Sequence, residues 1–107
     1  MKEYILCAAI WYKDIDPIRK HPCVPINAPN GVVLCGWRHG NIIAQMTILE
    51  GLRTVTNGEN SVGDYEQGFL TNLNRFVDRK EAMIIAKSAN QLIRTPFGEE
   101  LYSEDLY

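Results

Sequence analysis

Apolar residues are nearly continuous from Tyr4 to Tyr12 and end in Ile10-Trp11-Tyr12. A run this short and this apolar predicts a buried strand. A second apolar run, Val32 to Trp37, follows Asn30-Gly31, a pair suited to a hairpin-type turn, and predicts a second strand. After Arg38-His39-Gly40 the period changes. Ile42, Ile43, Met46, Leu49 and Leu52 recur at helical spacing, which predicts an amphipathic helix over residues 41–53. Thr54 to Gly63 is rich in Gly, Asn and Ser and reads as a loop. Asp64–Thr71 and Arg75–Val77 read as short extended pieces around Asn72-Leu73-Asn74. Asp78 is a good helix N-cap, and Glu81 three residues on offers the return half of a capping box. Ala82, Ile85, Ala86 and Ala89 then form an apolar stripe, predicting a helix from Arg79 to about Asn90.

These elements predict an α+β fold: an antiparallel sheet with two packed helices, as one small domain over residues 1–107. Two segments stand outside the pattern. Residues 13–31 hold four of the five prolines and read as a long loop of turn or polyproline character. Residues 97–107 carry Glu99, Glu100, Glu104 and Asp105 with no base. They also carry Leu101, Tyr102, Leu106 and Tyr107, too many anchors for a solvated tail, so the segment is expected to dock on the body or on a second subunit.

Charge narrows the function. Eleven Lys+Arg face 13 Asp+Glu, a formal net charge of −2, without the basic excess of a general nucleic-acid binder or a polybasic membrane anchor. The longest apolar run is too short to span a bilayer, and the N-terminus does not read as a signal peptide. Cys7, Cys23 and Cys35 form no C-x-x-C, which suits a reducing cytoplasm. Cys7 and Cys35 sit in apolar runs and are expected to be buried as small hydrophobes. His21 and His39 lack neighbours at ligand spacing, so no metal site and no cofactor are expected.

Catalytic chemistry has little support. Ser61, Ser88 and Ser103 lie in no nucleophile-elbow context, and nothing presents Cys35 to His39 as a thiolate. Anion binding has more. Arg38 and His39 lie at a strand-to-helix junction, where orphan N–H groups favour an anion; alternatively Arg38 pairs with an acidic neighbour and His39 caps or packs. Arg75 and Arg79 crowd a helix N-terminus, where cations are disfavoured. Two readings account for them: a diphosphate held by forked guanidinium donors, or salt bridges to the acidic tail. Phe69 and Phe76 flank the Asn72-Leu73-Asn74 turn, either as stacking faces for a base or as core. Arg19, Lys20 and His21 give the proline-rich loop a basic patch, either solvated or anion-binding.

Five blocks carry a resemblance: Tyr4-Ile5-Leu6-Cys7-Ala8-Ala9-Ile10-Trp11, Gly36-Trp37-Arg38-His39, Glu66-Gln67-Gly68-Phe69-Leu70-Thr71, Asn74-Arg75-Phe76-Val77-Asp78-Arg79 and Leu101-Tyr102-Ser103-Glu104-Asp105-Leu106. They resemble a group of small phage-encoded proteins that includes the Thoeris anti-defence 1 family. The resemblance implies an immune-evasion protein of the host cell cytoplasm. Such a protein sequesters glyco-cyclic ADP-ribose without degrading it and so blocks Thoeris immunity. It also implies homo-oligomers, with pockets at a dimer interface and dimers that assemble into hexamers. The family's arginine pair carries over onto Arg75 and Arg79. Its Asn contact is expected near Asn57 and Asn60, and its aromatic or apolar contact is not assigned by a motif. A second site for cyclic trinucleotides would fall on Arg19, Lys20 and His21. Two rivals remain: a small nucleotide hydrolase or lyase with His39 as acid/base, and a protein-binding inhibitor that uses the acidic tail.

Overall fold

The computed structural model describes residues 2–15, 24–57 and 65–107, with side chains in the second stretch described as far as Leu49. The elements in order are β1 (Ile5–Tyr12), β2 (Val32–Gly36), α1 (His39–Asn57), β3 (Tyr65–Thr71), β4 (Phe76–Asp78), α2 (Arg79–Ser88) and a 3₁₀ turn at Ser103–Asp105. The sheet order is β2-β1-β3-β4, with every neighbouring pair antiparallel. The fold is α+β.

β1 is one of the two interior strands, and its near-continuous apolar sequence matches burial on both faces. Ala8, Ile10 and Tyr12 join Phe69, Val77, Ile42, Met46, Ala82, Met83 and Ala86 in the main core under the helices. Ala9 faces the other way, into a smaller cluster with Ala28 and Phe76. β2 and β3 both run antiparallel to β1, so they run parallel to each other. Parallel strands need a crossover, and α1 provides it.

α1 is longer than its periodicity predicted, starting at His39 and ending at Asn57. Residues Thr54–Asn57, read from composition as loop, are helical. The sequence offers no strong stop before Asn57-Gly58, which is where the helix ends. Its apolar stripe is buried at Ile42 and Met46, whereas Ile43 and Leu49 are exposed. Cys35 is also exposed rather than buried, because it points to the sheet face away from the helices; Cys7 is half-buried.

The described part of the proline-rich loop lies along the free edge of β4. The Asn27 side-chain amide donates to the Phe76 carbonyl (2.6 Å) and its oxygen accepts from the Phe76 N–H (2.8 Å). Ile26 N–H donates to Asn74 (2.8 Å). These bonds occupy backbone groups that an edge strand otherwise leaves open. Gln91 does the same for Ile5, donating to its carbonyl (2.9 Å) and accepting from its N–H (2.8 Å) beside a β-bulge.

Candidate functional site

The N-terminus of α2 is built as its sequence predicts. The Asp78 carboxylate accepts from Glu81 N–H at 2.8 Å and caps the first turn. The return half of the capping box goes elsewhere, because the Glu81 carboxylate is held by Arg75 at 2.8 Å. The helix closes with Asn90 in the left-handed region (φ 57°), Asn90 N–H bonding to Lys87 and Gln91 N–H to Ala86, a Schellman closure.

Arg79, the first residue of α2, projects toward β3 and the tail. One terminal nitrogen donates to the Leu101 carbonyl (2.7 Å) and the other to Gln67 Oε1 (2.6 Å). The guanidinium carbon lies 4.5 Å from the centre of the Tyr102 ring. Both acceptors are neutral. Among the described residues no carboxylate lies within ion-pair distance of Arg79, whereas Arg38 and Arg94 each have one and Arg75 has two. Burial pushes Arg79 below the ordinary arginine range, opposed in part by Tyr102 and by Glu100 and Glu104, whose carboxylates lie beyond ion-pair distance. Beside it opens a cleft of about 340 Å³ lined by Glu66, Gln67, Asp78, Arg79, Lys80 and Glu100.

Arg75 belongs to a different cluster. Its Nε and one terminal nitrogen grip Glu3 at 2.8 Å each, and the same terminal nitrogen reaches Glu81. Thr71 Oγ1 adds a bond to Glu3 at 2.7 Å. The guanidinium fork holds the Glu3 carboxyl below its usual range, and Glu3 in turn raises Arg75. The acidic partners are thus Glu3 and Glu81, not the tail. Arg75 and Arg79 share no partner and do not converge on one point.

The Arg38-His39 junction fastens the tail. Arg38 donates to Ser103 Oγ (3.1 Å), Glu104 (3.4 Å) and the Tyr107 main-chain oxygen (2.7 Å). Its guanidinium lies over both Trp37 and Tyr107, at 4.5 and 5.1 Å. His39 is buried, and its Nε2 lies 2.7 Å from the Gly68 carbonyl. An imidazole facing a carbonyl carries its proton on that nitrogen and donates. Burial holds His39 below the usual histidine range, so it is neutral at pH 7. Farther along, Asp105 is buried and accepts from Arg94 (2.7 Å) and from Tyr102 N–H (3.0 Å).

Of the other residues singled out from sequence, Phe69 is fully buried, edge-on to His39 at 5.0 Å. Phe76 is buried, edge-on to Trp11 at 5.7 Å. Neither lines the cleft. Asn57 is the last residue of α1, and its side chain lies outside the described residues. Asn60, Arg19, Lys20 and His21 also lie outside them. Gln67, Tyr102 and Lys80 were missed as neighbours of Arg79. The signal available for Gln67 was strand alternation, which puts it on the same side as Phe69, facing the helices. Among the described residues, no group of three or more His, Cys, Asp or Glu side chains is placed to hold a metal, and no helix is long and apolar enough to cross a membrane.

A family model described as phage T4 y16D protein matches residues 4–107, so the chain belongs to that family of phage proteins. No curated protein and no solved structure matches.

Proposed function

We propose that the protein, as a member of that phage family, is an accessory protein that binds and sequesters a cyclic ADP-ribose-type signalling nucleotide without degrading it, and so blocks Thoeris immunity. The observation that carries this reading is Arg79. It is a half-buried cation with neutral acceptors only, set at the lip of a cleft and flanked by Lys80 and the Tyr102 ring. A pyrophosphate entering the cleft would take the Arg79 fork and Lys80 as counter-charges against the repulsion of Glu66, Asp78 and Glu100 in the same lining, and Gln67 offers an amide to a base or ribose edge. Arg75 contributes indirectly, by bracing Glu81 in the first turn of α2. A binding role also suits His39, whose Nε2 is committed to the Gly68 carbonyl, leaving the acid/base rival without that nitrogen. The rival that uses the acidic tail is weakened because Glu104 and Asp105 are engaged by Arg38 and Arg94.

The protein acts in this reading as a homo-oligomer. A second copy would cover exposed apolar side chains such as Trp37, Ile84, Ile93 and Phe97 and would close the shallow cleft. The test is calorimetric titration of wild-type protein and Arg79→Lys with cyclic ADP-ribose isomers. Lysine keeps the charge and loses the fork, so affinity is expected to fall by roughly one to two orders of magnitude. Equal affinities in the two proteins would remove Arg79 from the site.

A further inference from the structure

Outside the cleft, β1 and β2 place two thiols side by side. Ala9 pairs with Cys35 in the antiparallel register, which puts Cys7, two residues back along β1, diagonally across from Cys35 on the same face. The diagonal same-face register brings the two side chains within reach of each other. Cys35 is exposed and Cys7 is half-buried, so a small reagent can reach the pair. The β-bulge between Ile5 and Cys7 disturbs the β1–β3 register immediately before Cys7.

We propose that Cys7 and Cys35 form a thiol–disulfide exchange site for low-molecular-weight disulfides, in which Cys7 is the attacking thiolate and Cys35 the resolving thiol. The Cys7 sulfur attacks one sulfur of a disulfide RSSR, breaking the S–S bond. A Cys7–SR mixed disulfide forms and RS⁻ leaves with an electron pair. Cys35 then loses its proton and attacks the Cys7 sulfur, expelling the second RS⁻. The protein gives up two protons and two electrons, and RSSR is reduced to two RSH. The product bridge joins the edge strand β2 to the interior strand β1. A diagonal pair is wider than an unstrained bridge prefers, so the bond forms reversibly and is readily reduced.

The chemistry around the pair supports that order. The hydrogen bond from Cys35 draws Cys7 down to about 7, and the same bond with burial holds Cys35 well above the ordinary thiol range. The titratable groups that reach Cys7 are Cys35 from β2 and the Tyr107 phenol from the tail. Tyr107 donates its hydroxyl proton to the Trp37 carbonyl (2.6 Å) and is held protonated by burial, so it adds no competing charge near pH 7. This site stands whether or not a nucleotide binds at Arg79.

The test uses full-length protein carrying Cys23→Ser, so that the third thiol cannot take part. On incubation with glutathione disulfide, the intact mass is expected to fall by two hydrogens. Non-reducing tryptic mapping should then join the Cys7 and Cys35 peptides. Cys35→Ser in the same background should stop at one added glutathione on Cys7, whereas the first reaction of the protein that keeps both thiols should level off above about pH 7 instead of climbing through about 8.5. Cys35→Ala should likewise stop at one glutathione if the serine variant folds poorly, and, lacking the hydrogen bond, it should react with a pH midpoint shifted upward. A mass that stays at the reduced value, one glutathione retained while both thiols are present, or a bridge between two chains would each overturn the proposal.

Discussion

At the residue scale, two arginines four positions apart do different work. Arg75 is satisfied: three of its contacts go to Glu3 and Glu81. Arg79 is bonded but not neutralised. The distinction turns on the path of β4 and the start of α2, which send the two side chains toward Glu3 and toward Gln67. Sequence spacing alone leaves both as equal candidates, because Glu3 is far away along the chain. Arg75→Ala is therefore expected to lower stability by about 1–2 kcal/mol, the range for a partly buried, bidentate ion pair. Its pH signature follows from Glu3. A carboxyl held below its usual range adds stability that is fully present above the ordinary value of 4.5 and is lost as pH falls through the lowered one. Thermal melts of wild-type protein should lose stability across that acid window, and melts of Arg75→Ala should fall less steeply. Parallel slopes would mean that Glu3 is not the titrating group.

At the element scale, the strands and α2 were legible because their signals are local. An apolar run, an N-cap and a polar turn each act within a few residues. The ends of α1 were less legible, since polar β-branched residues such as Thr54 and Thr56 resemble loop composition while nothing there terminates a helix. The amides of Asn27 and Gln91 could not have been read at all, because each bonds a strand 49 or more residues away. Gly68 is a position where the sheet leaves no room. A Cβ there would collide with the Val77 carbonyl oxygen and lie 2.7 Å from the Phe76 ring. Gly68→Ala is expected to cost about 3 kcal/mol through overpacking of the β3–β4 pair. Urea unfolding gives the number, and a midpoint equal to that of the wild type would contradict the packing described at this strand.

At the scale of the whole molecule, the tail is part of the fold. Leu101 is fully buried in the main core, its N–H donates to the Arg79 carbonyl (2.9 Å), and its carbonyl accepts from the Arg79 side chain. The apolar anchors made the tail's tendency to dock readable, but its partners, Arg38, Arg79 and Arg94, come from three separate stretches of the chain and needed the topology. Leu101→Ala is expected to destabilise by about 2–5 kcal/mol. It should also weaken nucleotide binding, since emptying the core at Leu101 loosens the tail backbone whose carbonyl accepts from the Arg79 side chain. A variant that is less stable yet binds with wild-type affinity would separate the tail from the site.

The measurement closest to the central claim is recovery of the ligand. Purified protein would be saturated with glyco-cyclic ADP-ribose in the calorimeter, then heated, and the released material chromatographed. Binding heat with the intact nucleotide returned is the result expected of sequestration at the Arg79 cleft. Absence of binding heat, or recovery of a cleaved product, would contradict it.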